Sequence, residues 1–428
     1  MGLPYKDSFW LDNDISVLPP LIGETEADVV VIGGGVAGLS SAYFLKRAAP
    51  ELDIALLEQR YAGSGASGRN AGALSPPVRE WTREIVQQAG EQAGRLCVHY
   101  YREALEFIEA VCASQGIPEF DRVDFMRAAF NNESWKDLQE TASYMEMIGV
   151  PFRLLDAEEM QDQIAVPMKG GRLTGDQGVC NPFRWSQGFR RAVAEEGVRV
   201  YENTPVTHIK LGNTVVLTTR DGRVRTPVIV LATNAFSEEF PFAKDLQIPT
   251  YSRAIATEAL AQDQEASLSW GRYQMVTAYE GGFWARYIPN RKQFIFGGGS
   301  QLGTDPDAGI ANLGGPGQRM PLHEFDELYH GLFAYMLQLF PGLAGITLFA
   351  AWGGPTSYTA NGWPHIGPLP GHPNVILNLG HNARGLLHGS YSGRMIQGLA
   401  LGQRYEDDVA ERVRRVITSI EPIANSYR

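Results

Sequence analysis

Asp28-Val29-Val30-Val31-Ile32-Gly33-Gly34-Gly35-Val36-Ala37-Gly38 is the stretch that decides the fold. Its first five residues hold a continuous β-branched run, Val29 to Ile32, stopped by glycine, which predicts a fully buried parallel strand. Gly33, Gly35 and Gly38 carry the G-x-G-x-x-G spacing. Gly33 permits a tight turn, Gly35 lets the backbone approach a pyrophosphate, and Gly38 lets a helix pack close to the strand. The helix is predicted over Val36 to Arg47. Its N-terminus, at Val36 and Ala37, presents free N–H groups and the positive end of the dipole to phosphates. Asp53 to Glu58 reads as the next strand, completing a βαβ unit of roughly 30 residues. Glu58 ends that strand, where a carboxylate accepts hydrogen bonds from ribose hydroxyls and repels a 2′-phosphate. Gln59 and Arg60 follow it as further candidate contacts.

A second run distinguishes FAD from NAD. Gly63-Ser64-Gly65-Ala66-Ser67-Gly68-Arg69-Asn70-Ala71-Gly72 follows soon after Glu58. A loop of small residues lets backbone N–H groups reach an extended ligand, and Ser67 offers a hydroxyl to phosphate or ribityl oxygens. An NAD dehydrogenase needs no such loop here. Gly65, Ala66, Ser67, Arg69, Asn70, Ala71 and Gly72 are therefore candidate cofactor contacts.

Composition sets the wider bounds. A chain of 428 residues is too long for one ordinary core. The formal net charge of −11 argues against nucleic acid, because phosphate binding needs a cationic surface. The three cysteines, Cys97, Cys112 and Cys180, form no CxxC and no complete disulfide framework. Cys97 falls on the apolar stripe Cys97, Tyr101, Ala104, Ile108, Val111, which places it in the core. No run approaches the ~20 apolar residues of a membrane span. No His, Cys, Asp or Glu cluster has metal-ligand spacing, and no Ser-His-Asp constellation is readable. The simplest expectation is a soluble cytoplasmic enzyme, with a homo-oligomer left open.

Farther along, residues 79–175 read as largely helical, with Ile85 to Val111 and Trp135 to Met147 at helical spacing. Pro182 to Glu196 reads as a helix capped by Asn181. Val198 to Tyr201, Val206 to Ile209, Val215 to Thr219 and Val228 to Ala232 read as strands, with a hairpin signal at Asp221-Gly222. Phe294 to Phe296 reads as a strand entering the glycine turn Gly297-Gly298-Gly299. The expected class is α/β with an α+β insertion. A Rossmann-like FAD-binding domain is assembled from 1–78, 176–240 and 348–428. A substrate domain from 79–175 and 241–347 has a mixed or antiparallel sheet plus helices.

The G-x-G-x-x-G unit with Glu58 and the run Gly65-Ala66-Ser67-Gly68-Arg69-Asn70-Ala71-Gly72 resemble the D-amino acid oxidase/glycine oxidase/sarcosine oxidase family of flavoenzymes, nearest its gamma-glutamylputrescine oxidase-like branch. The resemblance implies an FAD-dependent amine or amino-acid oxidoreductase acting on CH-NH or CH-NH2. Hydride passes to flavin, the imine hydrolyses, and O2 or another acceptor takes the electrons. It implies cofactor contacts at Val206, at the strand-end turn Ala232, Thr233 and Asn234, and at Gly354. It also places Ala383, Arg384, Gly385, Leu386 and Leu387 around the pyrimidine end of the flavin.

The chain departs from the family's pattern in three places. The arginine that clamps a small substrate carboxylate is Thr356 here, with Asn361 in place of the following Asp, and Arg286 is a candidate substitute. The lysine near the flavin is Ile295. No His occurs in 60–75 and no Cys beyond Cys180, which favours non-covalent FAD. Candidate aromatic walls are Tyr279, Phe283, Trp284, Trp352, Tyr358 and Trp363, with Trp352 favoured and Tyr358 beside it. His381 and His388 are acid/base candidates. Arg69 and Arg384 are candidates for flavin contact or substrate-anion binding. The partner is a small-molecule amine. An NAD-linked dehydrogenase and a flavin-binding subunit without turnover are the alternatives.

Overall fold

The computed structural model describes residues 3–11, 15–76, 80–270, 275–278, 283–298, 326–403 and 405–420. The glycine-stopped run forms the strand Val29–Ile32. It pairs in parallel with Ile54–Leu57 on one side and Val228–Leu231 on the other. Arg199–Tyr201 extends the sheet beyond Ile54–Leu57, and His372–Leu379 extends it beyond Val228–Leu231. His365–Leu369 closes the edge as the one antiparallel strand of six.

Both faces of this sheet are covered, which is why its strands Val29–Ile32, Ile54–Leu57 and Val228–Leu231 are apolar at every position. Val29, Val31, Ile54 and Leu56 pack with Leu39, Ala42 and Leu45 of the helix Val36–Ala48 and with Trp185 and Met395. Val30, Ile32, Ala55 and Leu57 point the other way, onto Ile209, Leu217 and Val224 of a four-stranded sheet. Burying each such side chain contributes about 1.5–3 kcal/mol. Gly33 turns the chain at φ +108°. A Cβ on Gly38 would lie 1.8 Å from the Gly33 carbonyl oxygen, so only glycine lets the helix start against the turn.

The four-stranded sheet has the order Gly23–Glu26, Gly222–Thr226, Val215–Thr219, Val206–Lys210. The hairpin at Asp221-Gly222 is present, with Val215–Thr219 antiparallel to Gly222–Thr226. Asn181 caps Pro182–Glu195 as expected, its side chain accepting from the amides of Phe183 and Arg184.

A nine-stranded mixed sheet forms the second layer system. Its order is Leu348–Tyr358, Ile248–Thr257, Gln293–Gly298, Phe283–Ile288, Met275–Ala278, Asp121–Ala129, Gly170–Val179 and Ala73–Leu74, with Phe152–Asp156 also paired to Gly170–Val179. Residues 79–175, expected to be largely helical, thus supply three of its strands alongside four helices. The charged residues in Asp121-Arg122-Val123-Asp124 hide the strand signal, because its buried positions come late, at Phe125, Met126, Ala128 and Ala129. The helical stretch Ile85 to Val111 is two helices, Glu80–Ala89 and Glu91–Ser114, broken at Gly90 with φ +86°. Leu348–Tyr358 was expected in the cofactor-binding unit but is zipped along Ile248–Thr257 in the large sheet. Among the described residues no helix is long and apolar enough to cross a membrane.

Candidate active site

The parallel strands end together. Ile32, Leu57, Ala232 and Leu379, at or just past four strand ends, line one cavity of about 520 Å³. Ligands of open α/β sheets bind outside the carboxyl ends of the strands. The opposite wall of the cavity comes from the nine-stranded sheet, through Phe125, Arg127, Arg172, Thr174, Met275 and Thr277.

At the glycine turn the amide of Gly34 donates to Glu58 Oε2 at 2.7 Å. Glu58 Oε1 accepts from the Arg60 amide at 2.9 Å and from the Ser64 hydroxyl at 3.2 Å. Burial raises the Glu58 pKa from the ordinary carboxyl value even though these three donors favour its charge. The Val36 amide, first in its helix, donates to Ser67 Oγ at 3.0 Å. The small-residue run is therefore fastened to the turn at both its ends of contact, Ser64 and Ser67. Asn70 shapes the run itself: its side-chain amide donates to the carbonyls of Ala66 and Ser67, and its Oδ1 accepts from the Gly72 amide. Arg69 donates from Nε to the Ser64 carbonyl at 2.7 Å and from Nη1 to the Gly353 carbonyl at 3.0 Å. Burial pushes its pKa down.

At the far end, Asn382 and Ala383 are consecutive non-glycine residues in the left-handed region, at φ +53° and +60°. Such geometry persists only where surroundings fix it. Here Asn382 Oδ1 holds the Thr359 amide at 2.8 Å, and its Nδ2 donates to the Gly362 carbonyl at 3.0 Å. Asn378 Oδ1 and both His381 ring nitrogens are buried without a well-formed protein hydrogen bond, and both residues line the cavity. Buried polar atoms normally have partners, so these mark where a polar ligand edge fits. A glycine cradle at one end and unmatched polar atoms at the other suit a ligand with a diphosphate and a polar ring.

Most of the residues expected at the cofactor line this cavity: Gly33, Gly35, Val36, Ala37, Glu58, Gln59, Gly65, Ala66, Ser67, Arg69, Asn70, Ala71, Val206, Ala232, Thr233, Asn234, Gly354, Ala383, Arg384, Gly385 and Leu386. Four expected ones do not. Gly38 is spent on helix–turn packing. Arg60 turns away to Asp7 and the Tyr61 ring. Gly72 pairs with Cys180, and Leu387 is a core residue.

The catalytic candidates fare differently. Tyr358 lines the cavity. Trp352 borders it, but its indole is fully buried, stacked on Phe9, and gives its N–H to the Arg69 carbonyl at 2.9 Å. Through that bond it braces the loop. Burial pushes His381 down to about 4 and His388 well below the ordinary imidazole value, so both are neutral at pH 7. Arg286 does not reach the cavity; its Nη1 donates to the carbonyls of Ala71 and Cys180 at 2.8 and 2.9 Å. Ile295 packs in the core beside Trp352, and Trp363 is likewise core. Phe283 and Trp284 line the cavity. Tyr279 and Gly299 lie outside the described residues.

Sequence reasoning missed the wall of the large sheet. Arg127 and Arg172 face each other across adjacent antiparallel strands, and both line the cavity, as does Arg253. Arg172 and Arg253 are buried. Glu239 lines the cavity as well, with Oε1 buried and unmatched, and burial raises its pKa to about 7. A buried arginine inside a strand is unusual enough to signal a role, but the strands had first to be recognised.

The model of the DAO family, described as FAD dependent oxidoreductase, matches residues 28–399. Gamma-glutamylputrescine oxidoreductase of Escherichia coli (strain K12) is 28% identical over 384 residues, covering 88% of this chain and 84% of that protein. Glycine oxidase of Pseudomonas putida is 26% identical over 400 residues, covering 87% and 94%. The crystal structure of glycine oxidase from Geobacillus kaustophilus superposes with a TM-score of 0.69 at 20% identity, covering 90% of this chain and 98% of that one.

Proposed function

We propose that this chain, which belongs to the DAO family of FAD-dependent oxidoreductases, oxidises the carbon–nitrogen bond of an amine that also carries an anionic group. FAD, when bound, supplies the two-electron acceptor for hydride. The single observation behind the reading is one continuous cavity with a dinucleotide cradle at one end and an arginine-bearing wall beside it.

Gly33 to Ala37, Glu58, Gln59 and the run Gly65 to Ala71 would hold the dinucleotide, with Val206 and Ala232 to Asn234 alongside. His381 and Ala383 to Leu386 would meet the flavin end. FAD held without a covalent bond fits Cys180, which is buried, with its thiol pKa raised by desolvation away from the reactive thiolate. Arg127 and Arg172 would attract a carboxylate of the substrate, in place of the clamp missing at Thr356. Phe283, Trp284 and Tyr358 would exclude water around the reacting carbon and lower the amine pKa by desolvation. A neutral amine is required, because its nitrogen lone pair forms the C=N bond as hydride leaves the carbon. The neutral His381 donates or accepts a hydrogen bond without carrying charge. The imine then adds water and releases the amine fragment and a carbonyl compound. We assign reoxidation to O2 or to another acceptor.

A panel of amines with and without a carboxylate, scored by anaerobic bleaching near ~450 nm, tests the reading. Bleaching by carboxylated amines, with peroxide formed on admitting air, supports amine oxidation with O2 as acceptor. Bleaching without peroxide assigns another acceptor. Bleaching only by uncharged amines or 2-hydroxy acids would sink the proposed substrate class.

A further inference from the structure

The small-residue run is held from behind by chain segments remote in sequence. Five consecutive carbonyls are tied to donors. Ser8 Oγ donates to the Gly68 carbonyl at 3.0 Å, Trp352 Nε1 to Arg69 at 2.9 Å, and Trp10 Nε1 to Asn70 at 2.7 Å. Arg286 Nη1 donates to Ala71 at 2.8 Å, and the Cys180 amide donates to Gly72 at 2.9 Å. Two of the five donors belong to the short arm that precedes the dinucleotide fold.

That arm is itself anchored. Tyr5 bridges Ala351, and the Lys6 amide donates to the Ala351 carbonyl at 3.0 Å. Phe9 stacks on Trp352, with ring centroids 5.7 Å apart, and the Arg286 guanidinium lies 5.1 Å from the Trp10 ring. Ser8, Trp10, Trp352 and Arg286 thus form one connected plate. Peptide planarity gives this plate a consequence. In a trans peptide the N–H points opposite to the preceding C=O. Drawing the Arg69 and Asn70 carbonyls outward turns the amides of Asn70 and Ala71 inward, and both of those residues line the cavity.

We propose that the segment Ser8 to Trp10 of this arm is a positioning element of the flavin site, aiming the amide of Ala71 at the cofactor by holding the Asn70 carbonyl from behind. Trp10 and Ser8 touch neither cofactor nor substrate; they act through the loop. Fixed donors of this kind lower the reorganisation needed when the ligand arrives.

Trp10→Phe keeps the ring and removes the donor; Ser8→Ala removes the hydroxyl. Both are compared, singly and together, with Lys6→Ala, which alters the arm without touching a bond to the loop. The measurements are the FAD dissociation constant of the apoprotein, the visible flavin spectrum, and the rise in melting temperature on adding FAD. Trp10→Phe is expected to weaken FAD about tenfold, and the double variant about thirtyfold. The flavin bands should shift, and the FAD-induced rise in Tm should shrink. Lys6→Ala should bind FAD like the parent protein. A parent-like dissociation constant and spectrum in the double variant would overturn the proposal. So would equal losses of Tm with and without FAD, or a Lys6→Ala variant as weak as Trp10→Phe. If Trp10→Phe does not fold, Ser8→Ala carries the test, with about a threefold weakening expected.

Discussion

The ends of Val29–Ile32, Ile54–Leu57 and Val228–Leu231 meet the cavity largely with main chain and small residues, whereas Asp121–Ala129 and Gly170–Val179 meet it with long side chains. The first wall is specified by what is absent, a Cβ at Gly33, Gly35 and Gly38. The second is specified by what protrudes, Arg127 and Arg172. A main-chain wall offers the same amides to any diphosphate, and so suits a cofactor that every turnover shares. A side-chain wall changes with each substitution, and so suits a substrate.

The contrast breaks most completely at Gly38. Gly38→Val forces a side chain into the Gly33 carbonyl, and overpacking of this kind costs about 3 kcal/mol. Soluble yield and flavin content should both collapse; a variant that retains full flavin would show that the main-chain wall tolerates side chains after all.

His381 tests the other end of the cofactor wall. Burial holds its folded pKa near 4, below the ordinary ~6.5 of the unfolded chain. The unfolded state therefore binds more protons between those values. Stability of the apoprotein is full above ~6.5 and is lost as pH falls toward 4, by about 3 kcal/mol from this residue. Thermal melts of His381→Asn from pH 4.5 to 7.5 should show a shallower acid slope than the parent.

Arg172→Met addresses the side-chain wall alone. A fall in kcat/KM of about thirtyfold, or ~2 kcal/mol, is expected with a carboxylated amine. The visible spectrum and flavin content should stay unchanged. Loss of flavin in this variant would show that the two walls are not separate. The smallest effect falls to Glu239. Its carboxyl, pushed up to about 7 by burial, gains charge above that pH and repels a diphosphate. FAD should bind about twofold more weakly at pH 9 than at pH 6, and Glu239→Gln should level the difference in a titration of apoprotein.

The same contrast decides what could be read in advance. Residues 28–72 carry the diphosphate end of the cofactor wall in one continuous run, where small residues at fixed spacing are visible without any knowledge of pairing. The opposite wall is assembled across the chain. Arg127 lies opposite Arg172, and Phe125 pairs with both Thr174 and Met275. Each of these residues is ordinary in its local context, and only strand pairing makes the set. Trp352 was singled out because it abuts the Gly353-Gly354 turn, and His381 because it flanks a loop that resembles the family's pyrimidine-binding segment. Neither reason includes burial, which sets the Trp352 N–H on the Arg69 carbonyl and holds His381 neutral.

The central position of Val29–Ile32 has a consequence in time. Its neighbour Ile54–Leu57 is synthesised almost at once, but its other neighbour, Val228–Leu231, is about 170 residues further on, roughly 10 to 30 seconds later at ordinary ribosomal speeds. During that interval a strand that is apolar and buried at every position has one open edge, a template for pairing with other chains. The sheet is begun first and finished late, and in the cell a nascent chain must shield that edge until its partner emerges.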